Sequence, residues 1–300
     1  MSNADRIGID LGGTKIEGIV LAPDRTVRRR LRVPTERERG YEQIVDRVAT
    51  LAAELRRAAP GCERIGIGTP GSLSSRDGTL KNSNTTCLNG RPLRTDLEAR
   101  IGLPVALEND ANCFALAEAH GGAGRGHEMV FGVILGTGVG GGIVHRGRLW
   151  PGPQHVAGEW GHHVVDPAGP ACYCGHRGCV ETLLAGPALE AAYRAAGGTA
   201  RGAPEVAARA AAGEPAAATV MAEYCARFGR ALANVIDILD PSVIVLGGGL
   251  SNLSILYTAG RDAVARAVFN DALRTPIVPN QLGDSAGVIG AALLGEGAAG

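Results

Sequence analysis

Residues 7–21 of this chain read IGIDLGGTKIEGIVL, two apolar runs separated by a turn that contains Gly12 and Gly13. Runs of this length and composition on either side of a Gly-rich turn predict the two strands of a β-hairpin. A second unit of the same kind follows at 129–135, where a strand pattern enters the glycine-rich turn 136–142 and a further strand. We interpret the repetition as an internal duplication of architecture, with one such hairpin opening each of two lobes.

Between and after the two hairpins, strand patterns alternate with helix patterns. Strands are predicted at 64–68, 105–107 and 243–246, and helices at 41–59, 111–119, 221–239 and 287–294. The alternation predicts an α/β fold. We expect a small N-terminal lobe at 1–115, with a C-terminal helix of about 287–298 packed back on it, and a large lobe at 116–286.

Composition excludes several classes of protein. The formal net charge is zero, which argues against a nucleic-acid partner bound by bulk electrostatics. No apolar run reaches the roughly 18 residues of a membrane span, and the first residues lack the pattern of a signal peptide. Seven scattered cysteines without an export signal favour reduced thiols. We therefore expect a cytoplasmic protein without a membrane partner.

Three glycine-rich turns are candidate phosphate sites, because glycine lets backbone N–H groups approach phosphate oxygens closely. The residues concerned are Gly12, Gly13, Thr14 and Lys15 in the first turn, Thr137 and Gly138 in the second, and Gly247, Gly248 and Gly249 in the third. Asp10, at the end of a strand, can hold Mg²⁺ through water. The alternative for the first turn is a plain hairpin turn, and for the third an ordinary strand end.

Asp110 stands where a predicted strand ends and a helix begins. An N-cap is one interpretation. The other is chemical: a carboxylate at the end of a strand that lines a cleft can accept a proton from a substrate hydroxyl. The two roles are compatible.

One histidine and three cysteines lie within eighteen residues, as His162, Cys172, Cys174 and Cys179. Together they can supply the four ligands of a tetrahedral structural Zn²⁺. His163 is adjacent, but we favour His162. Glu181 follows the last cysteine closely and would be held rigidly by such a site.

Taken together, these stretches resemble the ROK family (repressor, open reading frame, kinase) over nearly the whole chain. The most specific carrier is the pattern Cys-x-Cys-Gly-x-x-Gly-Cys-x-Glu at 172–181. The resemblance implies an actin-like ATPase (hexokinase/ribonuclease H-like) fold whose two lobes close over a cleft. It also implies ATP phosphates on the first two glycine turns, with the nucleoside near the third.

The resemblance further implies roles for individual residues. Asp110 matches the family's catalytic base. The positions that match sugar-binding residues are Gly71, Asn84, Asn109, Asp110, Glu159, His162 and Glu181. His162 would ligate zinc with one ring nitrogen and reach the sugar with the other. We further expect a homodimer that acts on a hexose.

The family also includes transcriptional repressors, which carry a helix-turn-helix domain ahead of the first hairpin. Because the hairpin begins at Ile7 in this sequence, we expect a kinase and not a repressor. A sugar-binding pseudokinase would need a lost base or broken loops, and neither is seen. Fructose, phosphorylated at its 6-hydroxyl, is the expected substrate, with mannose second. N-acetylglucosamine and glucose are the alternatives, and Cys87, where many members carry Trp, puts the pocket rim in doubt.

Overall fold

The computed structural model describes residues 4–294, and they form two compact units. The first unit comprises 4–121, 149–157 and 282–294, and the second comprises 122–148 and 158–281. Residues 149–157 fall in the first unit, although the sequence placed them within the large lobe. The expected end of the C-terminal helix, 295–298, lies outside the described residues.

The first unit is built on a five-stranded mixed sheet. Its strands are β1 (Arg6–Leu11), β2 (Lys15–Leu21), β3 (Val27–Pro34), β4 (Ile65–Thr69) and β7 (Val105–Asn109), with the small hairpin β5 (Ser72–Leu73) and β6 (Leu80–Lys81) outside the sheet. Its helices are α1 (Tyr41–Ala58), α2 (Leu93–Ile101), α3 (Asp110–Gly121) and α9 (Ala286–Leu293).

The order of strands in this sheet is β3-β2-β1-β4-β7. β1 pairs antiparallel with β2, which confirms the predicted hairpin. β1, β4 and β7 run parallel, so their carboxyl ends meet at one edge of the sheet. β3, an edge strand whose arginines are exposed, was not predicted from the sequence. Charged side chains of this kind protect an edge strand from pairing with other chains.

Helix α9 packs unusually close to β1, β4 and α3. Glycines permit the approach: a Cβ on Gly66 would overlap the carbonyl of Ala291, and one on Gly290 would overlap the carbonyl of Cys113. Gly66 and Gly290 therefore allow α9 to pack closely, and neither position has space for a side chain.

The second unit repeats the plan with a sheet of order β10-β9-β8-β11-β12. Its strands are β8 (Met129–Leu135), β9 (Val139–His145), β10 (Arg148–Leu149), β11 (Val243–Gly247) and β12 (Ile277–Pro279). Its helices are α4 (Val180–Leu184), α5 (Gly186–Ala195), α6 (Ala203–Ala211), α7 (Pro215–Leu239) and α8 (Ala259–Ala267). The antiparallel pair β8–β9 is the predicted second hairpin.

Each unit has its own core. In the first, the apolar face of α1 covers β1 and β2 through side chains such as Ile44 and Val48, which are fully buried. In the second, Tyr224 and Phe228 of α7 and Phe131 of β8 are buried members of one apolar cluster. None of the helices formed by residues 4–294 combines the length and apolar character needed to cross a bilayer.

Candidate active site

The carboxyl ends of β1, β4 and β7 bring several sequence-predicted residues to one edge of the first sheet. The register pairs Asp10 with Gly68, and Thr69 with Asn109. Asp10, the loop that follows β4, and the start of α3 are therefore neighbours. Ligands of α/β sheets bind at this edge, because the loops there present polar groups free of the strand ladder.

Asn109 joins two parts of this edge. Its side-chain Nδ2 donates to the carbonyl of Gly71 at 3.1 Å, and its Oδ1 accepts from the N–H of Ala111 at 2.8 Å. Gly71 has φ of 89°, and a Cβ there would overlap the carbonyl of Lys81. Asn109 is thus a positioning residue that ties the loop after β4 to the first turn of α3.

Asp110 is the first residue of α3, and its Oδ1 accepts from the N–H of Ala111 at 2.8 Å. Asn109, which precedes the helix and whose Oδ1 accepts from the same N–H, has the geometry of the N-cap. The capping interpretation therefore fits Asn109 better than Asp110. One carboxylate oxygen is engaged at the helix start, which fixes the direction of the carboxyl group at the strand edge.

Asn84 lies in the loop after the β5–β6 hairpin and is exposed. The side chain of Asn89 braces this loop: it accepts from the N–H of Ser83 at 2.8 Å and donates to the carbonyl of Ser83 at 2.9 Å. Cys87, whose identity made the pocket rim uncertain, is partly buried and packs against the core of the first unit.

Asp10 is surrounded by negative charge. Burial first, then the carboxylates of Asp110 and Glu17, raise the pKa of Asp10 to about 7, while Lys15 lowers it. Glu17 is opposite Asp10 across the hairpin and is 2% exposed, held by Arg32 at 2.7 Å. Glu17 was not predicted from the sequence, because its burial depends on the pairing of three strands. An enclosed carboxylate with like-charged neighbours is suited to a cation.

In the second unit, two of the glycine turns follow neighbouring parallel strands. Gly247, the last residue of β11, pairs with Ile134 near the end of β8, so the turns after both strands share an edge. Gly248 has φ of 79°, and a Cβ there would overlap the carbonyl of Leu135. The second and third candidate phosphate turns are thereby brought together.

The segment 158–163 is fixed to the second glycine hairpin by Trp160. Its indole N–H donates to the carbonyl of Gly140 at 2.8 Å, and its ring meets Phe131 edge-on. The turn Trp160–His162 follows Glu159 directly. Glu159 and His162 are therefore presented by a turn anchored to the hairpin.

Glu181 also contacts this hairpin. Its Oε2 accepts a hydrogen bond from the N–H of Val139 at 2.9 Å, and a Cβ on Gly138 would stand 2.7 Å from the same oxygen. The residue expected to bind sugar thus braces a candidate phosphate turn in this structure.

His162, Cys172, Cys174 and Cys179 present one ligand atom each, and these atoms lie within 4.8 Å of one another. The Sγ atoms of Cys174 and Cys179 are 3.6 Å apart, as are Cys172 Sγ and His162 Nδ1. Tetrahedral zinc with thiolate bonds of about 2.3 Å places sulfurs about 3.8 Å apart. The donor set and the spacing therefore fit Zn²⁺.

The other ring nitrogen of His162 has a protein partner. Its Nε2 is 2.9 Å from the hydroxyl of Tyr173, whose ring meets the imidazole edge-on at a centroid distance of 5.0 Å. Tyr173 is 71% exposed. The nitrogen expected to reach the sugar is therefore already hydrogen-bonded, and no sequence signal distinguished Tyr173.

In each unit, glycine turns follow the carboxyl ends of β-strands, an arrangement expected of α/β proteins that bind phosphate groups. Residues 6–297 match the ROK family, and the chain belongs to this family. It has the two-lobed actin-like ATPase fold of the ROK kinases, as the sequence predicted.

Three relatives illustrate the similarity. An N-acetyl-D-glucosamine kinase from Citrobacter koseri is 38% identical over 297 residues, covering 96% of this chain and 98% of the relative. The ROK hexokinase of Thermus thermophilus is 38% identical, with a TM-score of 0.87 and coverage of 97% of both chains. A ROK glucokinase from Streptomyces griseus, solved with glucose and AMPPNP, is 31% identical, with a TM-score of 0.78 and coverage of 97% and 98%.

Proposed function

We propose that this protein transfers the γ-phosphoryl group of ATP to the 6-hydroxyl of N-acetylglucosamine. The observation that carries the proposal is the 38% identity to an N-acetyl-D-glucosamine kinase over nearly the full length of both chains. Fructose was the first choice from sequence. Because none of the three relatives described above is a fructokinase, N-acetylglucosamine has better support than fructose.

Asp110 is proposed as the base. In phosphoryl transfer the sugar oxygen attacks the γ-phosphorus, the bond to the ADP oxygen breaks, and the hydroxyl proton must go to an acceptor. Asp110 has one carboxylate oxygen held at the helix start. Such a fixed carboxylate can receive the proton, and positioning supplies much of the remaining catalysis.

Within the first unit we assign sugar binding to Gly71, Asn84 and Asp110, and within the second unit to Glu159 and His162. The side chains of Asn109 and Glu181 also bond to backbone. We assign both a positioning role, with any contact to sugar made by the atoms that remain.

In the first unit, the turn of residues 12–15 would bind ATP phosphates. In the second unit, Thr137 and Gly138 would bind phosphate, and the turn 247–249 would lie near the nucleoside. Mg²⁺ would be held through water at Asp10, where it would neutralise the surrounding carboxylates. The raised pKa of Asp10 and the nearby charges of Asp110 and Glu17 support a cation there.

Zinc, if bound by the three cysteines and His162, would have no open position for water and would serve structure alone. The loop that carries these ligands also carries Glu159 on one side and Glu181 on the other. The metal would therefore fix the residues that face sugar and the second glycine hairpin.

A coupled assay of ADP release tests the proposal, with N-acetylglucosamine, glucosamine, glucose, fructose and mannose as acceptors. We expect the highest kcat/KM for N-acetylglucosamine and a lower value for glucosamine, which lacks the acetyl group. Glucose is the second candidate, because the Streptomyces griseus relative was solved with glucose. A higher kcat/KM for glucose or fructose would overturn the substrate, and no sugar-dependent ADP release would overturn the reaction.

A further inference from the structure

Two side chains that the site description did not use flank the first glycine turn. A Cβ on Gly13 would lie 3.4 Å from the Oγ1 of Thr85 and 3.7 Å from a guanidinium nitrogen of Arg37. The Thr85 hydroxyl and the Arg37 guanidinium therefore lie on the side of Gly13 where a Cβ would be.

The hydroxyl of Thr85 is buried and lacks a partner. The residue is 2% exposed, and no described residue accepts or donates a hydrogen bond to Oγ1. The backbone N–H of Thr85 is satisfied by Ser83 Oγ at 3.1 Å. Since a buried polar group without a hydrogen bond destabilises a protein, this hydroxyl indicates a ligand that supplies the missing bond.

Arg37 is an exposed cation without a carboxylate partner among residues 4–294. Of the two acids adjacent to Arg37, Glu36 has φ of 52° and binds Arg39 at 2.8 Å and Arg47 at 2.5 Å, and Glu38 forms no ion pair with Arg37. Among the described residues no carboxylate therefore neutralises Arg37, and its charge stays available beside Gly13.

The segment that carries Arg37 is fixed to the glycine turn. Thr35 donates its hydroxyl to the carbonyl of Gly12 at 2.6 Å and its N–H to the carbonyl of Thr14 at 2.9 Å. Any group bound at the turn therefore meets Arg37 in a defined place. The arrangement is a small anion site of one guanidinium, one hydroxyl and the backbone of Gly13.

We propose that Arg37 and Thr85 hold the terminal phosphoryl group of ATP at Gly13; this inference rests on the proposed phosphoryl transfer. A guanidinium forms charge-assisted, often bidentate bonds to phosphate oxygens, and the threonine hydroxyl donates to another. When the group moves from ADP to the sugar oxygen, and the proton to Asp110, Arg37 balances its negative charge. Arg37 and Thr85 also hold the phosphoryl group in place while its bond to ADP breaks and its bond to the sugar oxygen forms.

Calorimetric titration of AMPPNP and of ADP, each with Mg²⁺ and without sugar, tests this assignment. Arg37→Gln should weaken AMPPNP by roughly 10–100-fold, the range of a hydrogen bond to a charged group, and leave ADP nearly unchanged. Arg39→Gln is the matched control, because it removes one positive charge from the same turn. The ion pair between Glu36 and Arg47 remains in this variant. It should bind both nucleotides like the wild type.

Thr85→Val separates binding from folding. Because the hydroxyl has no partner without ligand, its removal should leave Tm unchanged or raise it, while AMPPNP weakens by about threefold to tenfold. A lowered Tm together with equal loss of both nucleotides would show that Thr85 is merely structural.

The inference is overturned if Arg37→Gln weakens ADP and AMPPNP equally, changes neither, or changes only the KM for sugar. It is also overturned if the wild type does not bind AMPPNP more tightly than ADP. If the wild type shows the AMPPNP preference and its dependence on Arg37, but phosphorylates no sugar, the phosphate site stands and the proposed function fails.

Discussion

The carboxylate of Glu181 accepts a hydrogen bond from the backbone N–H of Val139 at 2.9 Å. This bond links the segment that follows the cysteine cluster to the second glycine hairpin, within one unit of the protein. The sequence suggested that these two features act separately, one on sugar and the other on phosphate. Because they are in contact, we predict that a substitution in the segment after the cysteine cluster alters the glycine hairpin, and that a substitution in the hairpin alters the segment.

Glu181→Ala should raise the KM for ATP about tenfold, the effect of losing one hydrogen bond to a charged group, because the turn at Gly138 loses its brace. Glu181→Gln retains an acceptor oxygen and should show a smaller rise. Steady-state kinetics with ATP varied at saturating sugar provide the measurement. Glu223→Ala, an exposed glutamate on α7, is the control, and an unchanged KM for ATP in Glu181→Ala would contradict the argument.

Zinc content is the second prediction. Protein purified without added zinc should contain about one zinc per chain by elemental analysis, and Cys174→Ser should lose it. Since the cluster is joined to the hairpin through Glu181, the variant should raise the KM for both sugar and ATP. Cys87→Ser, outside the cluster, should keep its metal. Full activity without zinc in the wild type would refute the assignment.

Tyr173→Phe tests how the metal site is held. When Nε2–H of His162 donates to the Tyr173 hydroxyl, Nδ1 is unprotonated and faces the cysteines, as metal ligation requires. Partners of this kind typically change metal affinity by 10–100-fold. We expect zinc affinity to fall by about tenfold in competition with a chelator. An unchanged affinity would show that the Tyr173 contact is incidental.

Asp110→Asn should reduce kcat by about 10²–10⁴, the usual contribution of a positioned base. The fold should persist, because an asparagine oxygen can still accept from Ala111, as Asn109 already does. Thermal unfolding and ADP release measured on the same sample separate the two effects. Asp262→Asn, in the first turn of α8, is the matched control. Near wild-type turnover would show that Asp110 is not the base and only stabilises the start of α3.

Much of this fold was predictable because its signals are local. The two glycine hairpins, Asp110 at the start of α3, and the ligand spacing of His162 with the cysteines are all visible as short motifs. The homodimer stays a prediction.

Glu17 and Thr85 were missed because a residue's burial depends on partners distant in sequence. In the sequence, Glu17 looks like an ordinary exposed polar residue of a strand. Its burial becomes evident only when β3 is paired with β2. Tyr173 was missed for another reason: an exposed aromatic beside two cysteines carries no signal that it bonds to His162.

Asp10 should make the stability of the unliganded protein depend on pH. Its pKa is about 7 in the folded state and near 3.8 when unfolded, raised by burial and by the carboxylates of Asp110 and Glu17 against the opposing charge of Lys15. Between these values the folded state retains a proton that the unfolded state has lost. Stability contributed by Asp10 therefore falls as pH rises from about 4 to 7, by roughly 2–4 kcal/mol.

Urea unfolding of wild type and Asp10→Asn at pH 5 and pH 8, without divalent cations, measures this effect. The variant should gain stability relative to wild type at pH 8 and gain less at pH 5, because only at the higher pH does the wild type carry the buried charge. Asp24→Asn is the control, since hydrogen bonds from Thr26 lower the pKa of Asp24 and keep it ionised at both values. Mg²⁺ should stabilise the wild type more at pH 8 than at pH 6, because a cation favours the ionised carboxylate. An equal effect of Mg²⁺ at both pH values, or in Asp10→Asn, would place the cation elsewhere.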